Sequence, residues 1–417
     1  MKRLAVILLF LPLLIVACNN SSTNPPVYKD PITITSPDNN ASVSGVVIVR
    51  TAVGEDYYFL RVDFYVDGDS VYTDTTWPFS YAWDTGVYPS SSQHQLQVLA
   101  FDSTTSYESN IVHVTVIIPA TDQFVFASFY QTAAPAERVA SEGGHLYIAT
   151  GTQGLYAVDV SNAHSPQLFY RFSPGGFVAK GLDSDSPYLV TAGGDEGIRL
   201  FSTANPDTIS IVTFFNTAGY SWNVKVLGTR IYVADNDALQ ILTISGNNLI
   251  SNARFPISSG QVNDIDAVGA VAYVLDVNGL SVIDVSQAGS PNTLDRYADF
   301  NGQCRTVTAG QGFVFVGTSE ELVMLSSASP SNITFVNRYI DQAGITGAYL
   351  DGSLLFASRG GSSGGALAFD VSSGTSLNLL DTYINDDNNL DIAAENGFVF
   401  LGRQTGVDIL QFDYSGR

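Results

Sequence analysis

A stretch of about forty-two residues recurs seven times over residues 122–417, and it limits the fold more than any other property of the chain. Each copy is marked by an apolar or aromatic residue in its second expected strand: Tyr147, Leu189, Tyr232, Tyr273, Phe315, Phe356 and Phe400. Their separations are 42, 43, 41, 42, 41 and 44 residues. Seven to nine residues after each anchor comes a second apolar run, often opening on glycine, as in Gly154-Leu155-Tyr156-Ala157-Val158-Asp159 and Gly279-Leu280-Ser281-Val282-Ile283-Asp284. Four short strands per unit at a period of about 40–45 residues is the pattern of a β-propeller. In the first copy the strands are expected at 137–141, 146–150, 155–160 and 167–172. The fold class is therefore all-β, a seven-bladed β-propeller over 122–417 preceded by a smaller β-sandwich.

The ends of the repeat predict how the ring closes. The sequence runs out soon after the third strand of the seventh unit, at 407–412, while an extra strand at 124–130 precedes the first unit. Pairing these two segments completes the last blade and leaves no bare edge in its middle.

The first seventeen residues read as a targeting segment. Lys2 and Arg3 precede an apolar run of fourteen residues, 4–17. A membrane span needs about 20 apolar residues, so the run suits a secretory leader. Its end, Ile15-Val16-Ala17-Cys18, resembles the lipobox of bacterial lipoproteins. The resemblance implies cleavage before Cys18, acylation of that residue and anchorage to a membrane. Asn19 in place of Asp points to the outer membrane of a bacterial envelope, with the periplasmic and cell-surface faces both open. Residues 19–26 have no apolar content to bury in a core, and 18–28 read as a flexible tether.

Acidic residues outnumber basic ones 40 to 18, giving a formal net charge of −22. Nucleic acid is a poor partner for such a surface, because phosphate neutralisation needs basic patches. If Cys18 carries lipid, Cys304 is alone and reads as a buried structural thiol.

Residues 29–119 alternate apolar and polar positions, with seven short strands expected at 32–36, 46–52, 60–66, 70–74, 79–84, 94–102 and 110–118. Leu96, Val98 and Ala100 should face the core. Asp67-Gly68 reads as a hairpin turn rather than a calcium site, and Trp83 as core. The pieces Ile34-Thr35-Ser36-Pro37, Val62-Asp63-Phe64-Tyr65-Val66-Asp67-Gly68 and Tyr81-Ala82-Trp83-Asp84-Thr85 resemble bacterial Ig-like domains. That resemblance implies an Ig-like sandwich acting as a spacer or an adhesive unit.

The third-strand motifs Gly154-Leu155-Tyr156-Ala157-Val158-Asp159-Val160-Ser161 and Gly279-Leu280-Ser281-Val282-Ile283-Asp284-Val285-Ser286 resemble the LVIVD repeat, and Phe369-Asp370-Val371-Ser372 keeps the pattern. The resemblance implies a propeller and no single activity. The Asp of the motif is expected to cap the following turn from a buried position.

Candidate contact residues come from loops on one face: Phe177, Tyr220, Trp222, Asp195, Asp235 and Asp237. Loops on a rigid scaffold are the usual place for binding. Positions nine before each anchor open the inner strands: Arg138, Lys180, Asn223, Asp264, Thr306, Gly347 and Asp391. They read as a channel rim, basic on one side and acidic on the other. Asp235, Asp237, Asp386 and Asp387 are weak calcium candidates; no other cofactor is indicated. No His-x-His pair, phosphate loop or catalytic constellation is visible. The expected function is a non-catalytic, membrane-anchored binding, scaffold or adhesion lipoprotein meeting an unidentified protein or glycan at the loop face. The alternative is an exported enzyme acting on a polysaccharide or other polymer through loop carboxylates such as Asp195 and Asp386.

Overall fold

The computed structural model describes residues 30–43, 46–85, 88, 92–117, 124–205, 208–257 and 260–412. The leader at 1–17, the tether at 18–28 and the lipidation candidate Cys18 lie outside the described residues. The described elements are β-strands, and no helix among them is long and apolar enough to cross a membrane. The described chain separates into two compact units, one built from residues up to 85 and 93–115, the other from 116 onward.

In the first unit, the strands Ile32–Ser36, Val46–Val53 and Ser80–Asp84 form one sheet. A second sheet orders Ala41–Val43, Val112–Val116, Gln93–Phe101, Arg61–Val66 and Asp69–Asp74, with Ser106–Glu108 pairing beside Gln93–Phe101. The seven expected strands are present with small end shifts. Ala41–Val43 and Ser106–Glu108 are additions, each too short to show a period of two. Leu96, Val98, Ala100 and Trp83 are buried, as the alternation requires. Asp67 (φ 53°) and Gly68 (φ 90°) form the two-residue hairpin turn. The Asp67 carboxylate is 2.6 Å from Nδ1 of buried His94 and accepts from Gln95 N at 2.9 Å, so it serves the fold.

The second unit is a propeller-like series of seven four-stranded antiparallel sheets. Their inner strands are Arg138–Glu142, Gly181–Asp185, Ser221–Leu227, Val262–Val268, Cys304–Gly310, Ile345–Asp351 and Asn389–Glu395. Consecutive inner strands pack side by side, and the last packs against the first. The anchors explain the stacking. Tyr232 is buried with Ile265 and Val274 of the next sheet, Tyr273 with Val307 and Val316, and Phe315 with Leu355 and Leu367. Each such side chain stabilises the fold by about 1.5–3 kcal/mol through burial alone.

The glycine opening the third strand has a steric cause. Gly154 has φ +85°, and a Cβ there would sit 2.1 Å from the carbonyl oxygen of Phe172 on the outer strand. The motif carboxylates do cap their turns: Asp159 accepts from Ser161 N at 2.9 Å, Asp284 from Ser286 N at 2.8 Å and Asp370 from Ser372 N at 2.8 Å. They do so from half-exposed positions, which corrects the expected burial. Hydrogen bonds from the Ser161 side chain and backbone hold the Asp159 carboxyl below the usual carboxylate range.

Strand Phe124–Gln131 pairs antiparallel with Gly406–Phe412, from Phe124 opposite Phe412 to Gln131 opposite Gly406. The seventh sheet thus takes its outer strand from before the first unit and its other three from the end of the repeat, as the sequence predicts.

Candidate functional site

The inner strands place polar side chains around the axis of the repeat. Arg138, Asn223, Lys225, Asp264, Tyr349 and Asp391 are among the residues lining an axial cavity of about 480 Å³. Several of its carboxylates tie adjacent sheets together. Asp183 accepts from Val226 N at 2.8 Å, Asp264 from Val307 N at 2.8 Å and Asp266 from Ala309 N at 2.7 Å. Asp391 accepts from Val139 N at 2.9 Å and joins the seventh sheet to the first.

Two cations sit between these acids. Arg138 lies 3.6 Å from both Asp264 and Asp391. Lys225 lies 3.4 Å from Asp183 and 3.5 Å from Asp266. The expected division into a basic and an acidic side is therefore corrected: charges of opposite sign alternate, because each cation bridges carboxylates of different sheets. Burial pushes the Asp391 carboxyl up to about 6, against the opposing pull of Arg138. Burial likewise raises Asp183 despite Lys225. The carboxylates of Asp183 and Asp266 raise the Lys225 ammonium in turn. Thr306 also lines the cavity. Gly347 is packed against Asp391, where a Cβ would fall 2.6 Å from the carboxylate.

Above Arg138 the axis opens into a mouth of about 420 Å³. Five inner strands carry a one-residue bulge at the same place, at Trp222, Asn263, Arg305, Thr346 and Leu390. A bulge re-aims one side chain out of the alternation. Trp222, Asn263, Arg305 and Leu390 all line the mouth, together with Lys180 and Glu137. Lys180 Nζ is bonded to both Glu137 oxygens at 2.9 and 2.8 Å, so it belongs to the mouth and not to the axial cavity. The bulged residues lie ten before the anchors, one position off the rim expected from sequence. A bulge inserts a residue without changing the repeat length, so the period gives no sign of it.

The loop residues divide. Phe177 is buried against Phe172, with Arg199 over its ring at 4.9 Å, so it is core and not an exposed contact. Asp195 is exposed. Tyr220 and Trp222 meet with ring centroids 4.4 Å apart, and both are half-buried. Asp235 is fully buried and bonded by Arg254 Nε at 3.1 Å, while Asp237 is paired with Nη2 of the same guanidinium. Asp387 lies 3.7 Å from Arg403 and accepts from Asn388 N, and Asp386 holds a left-handed turn at φ 53°. The calcium reading of Asp235, Asp237 and Asp387 is corrected accordingly, because arginine occupies the place of the cation. Among the described residues no group of three His, Cys, Asp or Glu side chains could hold a metal ion.

This arginine pairing is repeated and escaped the sequence reading. Arg296 binds buried Asp276 at 2.8 Å, Arg338 binds buried Glu321 at 3.1 Å and Arg359 binds buried Asp341 at 2.7 Å. Arg254, Arg296 and Arg338 are spaced 42 residues apart on outer strands, a signal present in the sequence. Cys304 is buried, and burial pushes its thiol up to about 12.

Sequence comparison matches residues 31–98 to the bacterial Ig domain and residues 134–173, 218–251 and 259–299 to the LVIVD repeat. The chain carries a bacterial Ig domain followed by LVIVD repeats. No curated protein matches it. Among solved structures, the WD40 β-propeller domain of Doa1 matches with a TM-score of 0.57 at 8% identity, covering 70% of this chain and 98% of that one. The computationally designed Ika8 protein matches with a TM-score of 0.52 at 9% identity, covering 68% of this chain and 98% of its own. Likeness at these identities concerns the fold alone. The LVIVD matches span units whose inner strands supply Arg138, Trp222 and Asn263, residues of the axial cavity and its mouth.

Proposed function

We propose that this protein is a lipid-anchored lipoprotein of the bacterial cell envelope, held by acylated Cys18 at the outer membrane, that binds a partner without catalysing a reaction. Its Ig domain is an Ig-like β-sandwich and its LVIVD region a seven-bladed propeller. The seven sheets and the packing of the last inner strand on the first support the propeller. One observation carries the choice of binding over catalysis. Buried carboxylates near the loop face, such as Asp235, Asp276 and Glu321, are each locked by an arginine. Acid–base work needs carboxyl groups in contrasting, accessible environments, whereas these act as struts. The surface left for recognition is the mouth and the loops around it, with Trp222 on the wall of the mouth and Tyr220 packed beside it.

The test is capture of envelope components by the full-length protein, compared with a Tyr220→Ala/Trp222→Ala variant of unchanged melting temperature. Capture should be lost in the variant; unchanged capture would exclude this face. A panel of exported polymers provides the opposing outcome. Turnover by the wild type that disappears in Asp195→Asn would replace the binding reading with an enzymatic one.

A further inference from the structure

We infer that the channel mouth binds the carboxylate of an acidic sugar residue, a hexuronate, with Arg305 as the anion-binding group and Trp222 as the wall for the sugar ring. This rests on the binding reading above, and it names the ligand class and the residues.

The charges at the mouth cancel with one exception. Lys180 is closed onto Glu137. Arg138, which floors the mouth, is matched from beneath by Asp264 and Asp391. Arg305 is half-buried, and no carboxylate among the described residues forms an ion pair with it. Arg230 is also half-buried without an acid among the described residues, but its guanidinium is taken up by the Val285 and Ser286 carbonyls. Losing water without gaining a partner is unfavourable, and a carboxylate offers two oxygens that fit the guanidinium fork.

The rest of the mouth suits a sugar. Trp222 is fixed from behind by the core of the third and fourth sheets and from the side by Tyr220, so it is a rigid apolar wall. Rigid aromatic surfaces bind at low entropic cost. Asn263 donates from Nδ2 to Cys304 O and its Oδ1 is buried, so it shapes the wall of the mouth and offers no polar contact. Gln404 places an exposed amide at the rim. That amide serves hydroxyl groups, which benzoate does not offer. A space of about 420 Å³ lies within the usual range of small-molecule sites. Arg305, Trp222 and Asn263 all stand on bulges, the backbone device that turns one side chain out of a strand.

The test is calorimetric titration of the full-length protein with a galacturonate trisaccharide, its neutral galactose counterpart and benzoate. Galacturonate should bind, with the neutral sugar and benzoate each at least tenfold weaker. Arg305→Gln should lose about tenfold or more in galacturonate affinity, the scale of a charged hydrogen bond, with its melting temperature unchanged. Leu390→Glu, which brings a negative charge to the same mouth, should give a similar loss and serves if Arg305→Gln does not fold. Equal binding of the neutral sugar, stronger binding of benzoate, full affinity in a folded variant, or no binding of galacturonate would each overturn the inference. Envelope capture that persists through Tyr220 and Trp222 while galacturonate fails would leave the broader binding reading standing.

Discussion

Asp391 shows how a single buried group can make this fold sensitive to pH. Its folded-state pKa, about 6, lies above the ordinary carboxyl value of 3.8. Between those values the folded protein holds a proton that the unfolded chain has released. The stability contributed by Asp391 is thus complete below about pH 4 and is lost as the pH rises through 6. Asp391→Asn removes the titration while keeping an oxygen for Val139 N. The unfolding free energy of the wild type relative to this variant should fall by up to about 3 kcal/mol from pH 4 to pH 7. Urea melts at several pH values would measure it, and a flat difference would refute the assignment. The outer arginines make a second prediction at this scale. Arg296→Ala removes the guanidinium paired with fully buried Asp276, which should cost about 3–5 kcal/mol in denaturant unfolding. A loss under about 1 kcal/mol, typical of surface ion pairs, would show that Asp276 is solvated or neutral.

Among the elements, strand Phe124–Gln131 carries the most consequence for its length. Phe124 meets Phe412 and Phe356 with ring centroids 4.9 and 6.2 Å away, so it joins the core as well as the sheet. Deleting residues 124–131 would expose the Gly406–Phe412 edge and those rings. The expected outcome is loss of soluble, cooperatively unfolding protein, read by size-exclusion yield and a thermal melt. A soluble monomer with an unchanged transition would mean that the seventh sheet closes without this strand. The strand was legible in the sequence because an outer-strand pattern without a unit of its own implies a missing partner. Anchors such as Tyr232 and Phe315 were legible because stacking sheets forces a large apolar residue at one place in each copy. The mouth was not. Trp222 entered only as a loop aromatic, Asn263 and Arg305 not at all, because a bulge displaces a side chain by one position while the period stays intact. Phe177 misled for the opposite reason: a loop position suggests exposure, but tertiary packing under Arg199 buries it.

For the whole molecule, the pairing of charges bears on the proposed membrane anchorage. A formal net charge of −22 repels anionic lipid, and most of the arginines and lysines are tied to carboxylates, as at Arg254, Arg296, Arg338 and Lys225. Electrostatic adsorption is therefore a poor means of attachment, and the proposed anchorage rests on acylation of Cys18 instead. An acyl chain contributes about 0.8 kcal/mol per buried CH₂, and one chain alone holds a protein only marginally. The proposed anchorage at Cys18 therefore calls for more than one acyl chain. Cys18→Ser should move the protein from the detergent-rich to the aqueous phase in cloud-point partitioning and abolish incorporation of labelled palmitate. High salt should leave the wild type in the detergent-rich phase, since screening acts on charge and not on acyl burial. Retention of Cys18→Ser in the detergent-rich phase would show that the hydrophobic run at residues 4–17 stays attached and anchors the protein itself.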